Sequence, residues 1–159
     1  MKNDEYEQKV HELYPKLHAY AYLRLGSESL AQDAVSEAVY RGLVSIKKLK
    51  EPAFFNTWLT RILINECNNL HRKRKREIPY ETIPDTPENE KAYDALPLKE
   101  AISRLPIELR EIIVLRYYSG FSLVETADSL GLPQGTVATR ARKALKLLKL
   151  EMEDGNEQS

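Results

Sequence analysis

A short acidic stretch bearing prolines interrupts an otherwise helical pattern, and this break constrains the fold more than any other feature. On either side of it apolar residues recur at spacings of three and four, and no segment shows the strict alternation of a half-buried strand. From Glu77 to Lys91 the pattern fails. Pro79, Pro84 and Pro87 sit there among acids and threonines, with little apolar surface to bury. A chain of 159 residues divided in this way predicts an all-α protein of two small helical domains. The expected domains are residues 1–76 and 93–154, joined by a flexible linker at 77–92 and followed by a polar tail at 155–159.

Within the first domain, a helix is expected from Asp4 to Leu25, stopped by Gly26. Pro15 should kink or split it. Ser27 or Ser29 can cap a second helix that carries Leu30, Ala34, Ala38, Leu43 and Ile46 and ends near Leu49. A third should start near Pro52 or Ala53, with an apolar stripe of Phe55, Trp58, Leu59, Ile62, Leu63 and Leu70. Three such helices can share a core. In the second domain one helix should hold Leu96, Ala101, Ile102 and Leu105. Pro106 opens the next, which runs to about Tyr118 before Gly120.

Net charge is zero, yet the charges are segregated. Arg61 to Arg76 holds six basic residues and one acid, Glu77 to Glu100 seven acids and two bases, and Pro133 to Leu150 five bases and no acid. Two cationic blocks separated by an acidic one suit two anion-binding surfaces on a neutral chain. No run approaches the length of a membrane span, and the polar N-terminus lacks the apolar stretch of a secretory signal. The single cysteine, Cys67, excludes an internal disulfide and fits a reducing, cytoplasmic setting.

The C-terminal cationic block has a specific architecture. Ser122 and Glu125 form a capping-box pattern before a short helix from Leu123 to Leu130. Gly131-Leu132-Pro133 is a turn, and a final helix runs from Gln134 to about Met152. This order predicts a helix-turn-helix. Val137, Ala141, Leu145 and Leu148 are expected to pack against Val124, Ala127 and Leu130. The opposite face then presents Ala138, Thr139, Arg142, Lys143 and Lys146 to a major groove, where cations reach guanine edges or phosphates and Thr or Ala meets a thymine methyl.

The first cationic block instead follows aromatics and amides. Phe54, Phe55, Asn56 and Trp58 precede Arg61, Asn65, Asn68, Asn69 and Arg72. Such a mixture suits single-stranded nucleic acid, with stacked bases and tracked phosphates. Phe55 and Trp58 also have the spacing of core residues. Asn65 and Asn69 are harder to explain structurally, since Asn is a middling helix former.

Several segments resemble the extracytoplasmic-function sigma factors of bacterial RNA polymerase. Asn56-Thr57-Trp58-Leu59-Thr60-Arg61-Ile62-Leu63-Ile64-Asn65, continuing to Arg72-Lys73-Arg74, is similar to their region 2.3–2.4, and Ala31-Gln32-Asp33-Ala34-Val35-Ser36-Glu37-Ala38 to region 2.2. Leu105-Pro106 to Arg116-Tyr117, Gly120-Phe121-Ser122, and Gly135-Thr136-Val137 to Arg142 resemble region 4. The resemblance implies a promoter-reading subunit whose partners are core RNA polymerase, promoter DNA and an anti-sigma protein, in some members membrane-anchored. It implies polymerase docking through Asp33, Ser36, Glu37, Tyr40 and Arg41. The loop from Lys50 to Asn56 would receive a flipped base of the −10 element, with Phe55, Asn56, Trp58, Arg61, Asn65 and Arg72 as its contacts. Gln134, Thr136, Ala138, Thr139, Arg140, Arg142, Lys143 and Lys146 would serve the −35 element. Family members usually carry Gln where Ser36 stands and a large aromatic where Val39 stands, so the detail of the polymerase contact should differ but not its location; a basic residue is common where Ala138 stands, so the −35 preference should differ.

No catalytic residue, cofactor, metal or small-molecule substrate is expected, and the free chain is expected to be a monomer. Cys67 and His71 lie one turn apart, but two ligands do not complete a zinc site. A stand-alone helix-turn-helix regulator, the principal alternative, would leave the segment from Trp58 to Arg76 without a task. An RNA-binding adaptor would favour structured RNA over promoter DNA.

Overall fold

The computed structural model describes residues 1–77 and 96–157. Seven α-helices are described: α1 (Asn3–Leu25), α2 (Glu28–Val44), α3 (Phe55–Glu77), α4 (Leu96–Arg104), α5 (Ile107–Ile113), α6 (Leu123–Leu130) and α7 (Gln134–Glu157). Among the described residues there is no strand. Apart from Glu77, the expected linker at 77–92 lies outside the described residues, as do residues 93–95 of the expected second domain.

Local chemistry accounts for most boundaries. Gly26 closes α1 in the left-handed conformation at φ 73°, and its N–H donates to the Tyr22 carbonyl at 2.8 Å. Ser27 caps α2 by accepting from the Leu30 N–H at 3.3 Å. Pro15 does not split α1. It and His11 are both exposed, so the carbonyl deprived of its helical partner sits on the wet side. The second helix stops at Val44, short of the expected Leu49. Ile46–Lys48 and Pro52–Phe54 instead form two 3₁₀ turns around a bend.

The first three helices pack on one another through Tyr6, Leu13, Leu17, Ala31, Ala34, Val35, Ala38, Phe55, Leu59 and Leu63, all buried. Gly42, in the last turn of α2, is a point of close approach. A Cβ there would meet Tyr6 Oη at 2.5 Å and the Leu59 side chain at 2.8 Å. Tyr6 in turn donates to the Val39 carbonyl at 2.6 Å, and burial pushes its hydroxyl up to about 12.

The second half is built around a sharp corner between α4 and α5. Arg110 spans it by donating to the carbonyls of Ser103 at 2.6 Å and Leu105 at 3.0 Å. The helix that follows does not continue as α to Tyr118. It widens into a π-turn at Val114–Tyr118, ending with Gly120 at φ 73°. The extra residue lets Val114 and Leu115 both be buried while Tyr117 stays exposed.

The two halves do not form separate cores. One buried cluster runs from Tyr6, Leu17 and Tyr20 through Leu63 and Cys67 to Leu105, Ile113, Leu115 and Phe121. The π-turn packs on α1, and α6 packs on α3. A smaller cluster of Ile112, Ala127, Val137 and Ala141 holds the helix-turn-helix.

Replacing Gly42 by Ala should cost about 1–3 kcal/mol through overpacking, despite the gain in helix propensity. Urea unfolding followed by circular dichroism would measure it. In a Tyr6→Phe background the cost of Gly42→Ala should be smaller, because the hydroxyl that the added methyl would strike is gone.

Candidate nucleic-acid and polymerase interfaces

The helix-turn-helix follows from its termini. Ser122 Oγ accepts from the Glu125 N–H at 3.1 Å, and the Glu125 carboxylate accepts from the Ser122 N–H at 3.0 Å, a complete capping box. Gly131 ends α6 in the left-handed region at φ 68°. Helix α7 then begins with Gln134 and Gly135 exposed. Val137 and Ala141 pack inward with Ala127 and Ile112, as their spacing predicts. Two expected core positions are wrong. Val124 and Leu145 are exposed, and their places are taken by Leu123 on α6 and the fully buried Ala144 on α7. The stripe on α7 is rotated by one residue because α7 also packs against α4 and α5, not only against α6.

The reading face survives this shift. Thr139, Arg142, Lys143 and Lys146 are exposed, and Thr136 and Ala138 lie half-buried beside them. Arg142 Nη2 reaches Thr139 Oγ1 at 3.4 Å, so two of the groups that can address a base edge already meet. Arg140 is different. It is half-buried, and its charge acts on Glu111 of α5, so it belongs to the inner side of α7.

On α3 the aromatic register is resolved. Phe55 is 1% exposed, with its ring edge-on to Tyr6 at 5.8 Å and tilted against Trp58 at 6.0 Å. Its face is therefore unavailable for stacking. Phe54, 57% exposed in the 3₁₀ turn just before α3, is the ring that faces solvent. Trp58 is half-buried against the core. Asn56, Arg61, Asn65, Asn69 and Arg72 are exposed, and Arg72 is steadied by the Asn69 amide oxygen at 2.5 Å. The spacing that set Phe55 on the apolar stripe of α3 holds, and the one-residue offset leaves Phe54 outside.

The residues expected to dock on polymerase form one exposed stripe on α2: Asp33, Ser36, Glu37, Tyr40 and Arg41. Arg41 lies at its end, between Glu37 at 3.0 Å and the largely buried Glu66 of α3 at 2.7 Å. Below it a groove of about 510 Å³ opens between α2 and α3, lined by Glu37, Tyr40, Arg41, Val44, Asn65 and Asn69. This groove is displaced from the expected base-receiving loop at Lys50 to Asn56. It joins the docking stripe directly to the amides of α3, a juxtaposition not visible from linear spacing.

Cys67 is fully buried, and burial pushes its thiol up to about 12, far from a ligand or nucleophile. Among the described residues no three His, Cys, Asp or Glu side chains are grouped as metal ligands, and no helix is long and apolar enough to cross a membrane.

Fold and surface thus define a helix-turn-helix protein with a second cationic module. Comparison with known proteins is specific. Residues 10–77 match the family model for Sigma-70 region 2, and residues 95–148 match that for Sigma-70, region 4. The sigma factor SigV of Bacillus subtilis is 31% identical over 137 residues, covering 84% of this chain and 81% of that protein. The ECF sigma factor EcfG of Rhodopseudomonas palustris is 31% identical, covering 90% of this chain and 83% of that protein. The sigma factor RpoE of Bartonella quintana, solved in complex with the anti-sigma factor NepR, superposes with a TM-score of 0.79 at 26% identity, covering 94% of this chain and 97% of that one. CnrH, solved with the cytosolic domain of CnrY, shares the fold with a TM-score of 0.77 at 22% identity, covering 96% and 90%. The chain belongs to the sigma-70 family and is an RNA polymerase sigma factor of the extracytoplasmic-function type. It directs promoter-specific initiation, and sigma factors leave the chemistry to the polymerase.

Ser122→Ala should lower stability by about 0.5–2 kcal/mol through loss of the cap. Thermal unfolding would show it, and amide exchange should rise first in the opening turn of α6.

Proposed function

We propose that this sigma factor docks on core polymerase through the α2 stripe and reads promoter DNA with two separate helices. The observation that carries this reading is that one chain exposes two different cationic faces. On α3, amides and arginines alternate beside an exposed aromatic turn. On α7, Thr139, Arg142, Lys143 and Lys146 project from a capped helix-turn-helix.

The two faces suit different forms of DNA. A helix presenting Arg and Lys over a short arc fits a major groove, and Arg142 is placed to address a base edge while Lys143 and Lys146 follow phosphates. On α3, Phe54 offers a ring to an unstacked base of the −10 element, and Asn65 and Asn69 offer amides to base edges. Asn56, Arg61 and Arg72 follow the melted strand, and Trp58 supports the loop from below. Unstacking a base costs a few kcal/mol, which contacts of this kind must offset. Asp33, Ser36, Glu37, Tyr40 and Arg41 meet the polymerase clamp. Tyr40, 63% exposed, is the natural anchor of that contact. The domains are assigned as residues 1–76 and 93–154, with 77–92 as the tether.

Neither reader need bind tightly by itself. Once the polymerase holds the chain, the tether sets the effective concentration of one reader after the other has bound. The chain is taken to act in the cytoplasm, where core polymerase works. An anti-sigma protein is its proposed inhibitor, supported by the Bartonella quintana relative that was solved with one.

Run-off transcription with core polymerase on genomic fragments tests the reading directly. Wild type should give discrete start sites, and absence of association with core polymerase would end the proposal. Arg142→Ala should weaken promoters that depend on the −35 element by about 1–3 kcal/mol, or roughly 5- to 150-fold. Gel-shift titration on cognate and scrambled −35 duplexes should show the loss on the cognate one. Tyr40→Ala should lower affinity for core polymerase while leaving duplex binding unchanged.

A further inference from the structure

Between Arg61 and Arg76 the sequence carries six bases and a single acid, Glu66. That acid is not one of the strand-reading groups. Its side chain is 9% exposed, whereas Asn65 and Asn69 on the same helix face solvent. A carboxylate stripped of water is costly unless a cation meets it. The cation here is Arg41 of α2, whose Nε lies 2.7 Å from Glu66 Oε1.

Backbone geometry brings the two together. Arg41 stands in the last turn of α2, where the helix dipole favours a positive charge. Its neighbour Gly42 has no side chain, and α2 approaches α3 so closely there that a Cβ would meet the Leu59 side chain at 2.8 Å. Helix packing itself does not need the ion pair, since Val35, Ala38, Leu59 and Leu63 already bury the apolar faces.

The pairing is asymmetric. The Arg41 side chain is 55% exposed and also meets Glu37, one turn back on α2, at 3.0 Å. An exposed pair of that kind, four residues apart on one helix, holds a long side chain weakly. A buried carboxylate from a second helix holds it better, because Glu66 cannot follow Arg41 into solvent. Both carboxylates make their closest approach at Nε, so they fix the direction of the planar fork from its stem side. The rest of Arg41 lines the groove between α2 and α3, beside Tyr40 and Val44. An arginine left loose at an interface must be ordered when the partner arrives, and that cost subtracts from affinity. One already held loses little more.

We propose that Glu66 is a positioning residue for polymerase docking: from inside the seam between α2 and α3 it preorganises Arg41, so that the end of the docking stripe meets the polymerase already ordered. The inference rests on the reading of the α2 stripe as the docking surface. It adds a residue that lies outside that stripe, on the strand-reading helix, and acts through Arg41 alone.

A double-mutant cycle on the full-length chain, read as affinity for core polymerase by fluorescence titration, tests it. Glu66→Gln keeps the volume of the side chain and removes its charge. Alone it should weaken binding at least about threefold, within the range that coupled neighbours show. In an Arg41→Ala background it should add no further loss, because no guanidinium is left to position. A residue that merely stabilised the fold would weaken binding by the same factor in both backgrounds. That result would overturn the proposal, as would unchanged affinity of a folded Glu66→Gln chain. Binding of −35 duplex through α7 should be the same in every variant. If Glu66→Gln loses helicity by circular dichroism, Glu66→Asp takes its place in the cycle. It keeps the charge, withdraws the carboxylate by one methylene, and should show the same pattern. Tyr40→Ala reports on the docking surface separately. If Tyr40→Ala weakens binding while Glu66→Gln does not, only the role of Glu66 falls. If wild type does not bind core polymerase, or Tyr40→Ala binds as well as wild type, the docking reading fails and the proposal fails with it.

Discussion

A buried ion pair between α1 and α5 organises this molecule. Burying a charge costs several kcal/mol even after relaxation, and the attraction of a partner offsets this only when the remaining hydrogen-bonding capacity is used. Here it is. Arg24 divides its donors among Glu111, Tyr20 and Asn68, so α1, α3 and α5 meet through one guanidinium. Burial pushes the Glu111 carboxyl above the usual range, against the pull of Arg24, the Tyr20 hydrogen bond and Arg140 from α7. The same burial, with the neighbouring carboxylate, drives the Tyr20 hydroxyl well above its ordinary value. Such a cluster supplies register more than net strength. It is satisfied in one arrangement and strongly penalised when a partner is removed.

That property distinguishes the polar cluster from the apolar packing on either side of it. Phe55, Leu59 and Leu63 in the first half, and Val137, Ala141 and Ile112 in the second, are held by apolar burial that tolerates small shifts. The seam between the halves mixes apolar contacts such as Leu115 and Phe121 with the polar cluster. An interface of this composition resembles a reversible one more than a permanent core. The pair is neutral, so the two cationic faces of a chain of zero net charge are balanced elsewhere, in part by the acidic segment from Glu77 to Glu100.

Much of this was legible in the residues. Helix number, the caps at Ser27 and Ser122, the stops at Gly26 and Gly131, and the exposed faces of α2 and α7 follow from local chemistry, which acts over a few residues. The misjudged positions share a cause. The π-turn at Val114–Tyr118, the exchange of Leu145 for Ala144 and that of Val124 for Leu123 each depend on which neighbour a helix meets. Periodicity reports that a helix has a buried face; it fixes the angle of that face only to within a residue. Gly42 carried no signal either, since the Tyr6 hydroxyl and Leu59 that require it come from two other helices. The joint itself was invisible. Arg24 and Glu111 are 87 residues apart and read, individually, as surface charges.

The joint leaves tethering unimpeded. For two readers linked by a flexible segment, the second site is found at an effective concentration set by the tether. Here the halves also meet directly, α1 on α5 and α6 on α3. Both reading faces stay open all the same: Thr139, Arg142, Lys143 and Lys146 on α7, and Asn56, Arg61, Asn65, Asn69 and Arg72 on α3, are exposed. The side chains spent on the joint, Arg24, Tyr20 and Glu111, are largely buried ones that neither reading face uses. Packing of the halves and presentation of the cationic faces therefore fall to different residues, so the seam satisfies its own charges while the charge that can address DNA stays at the surface.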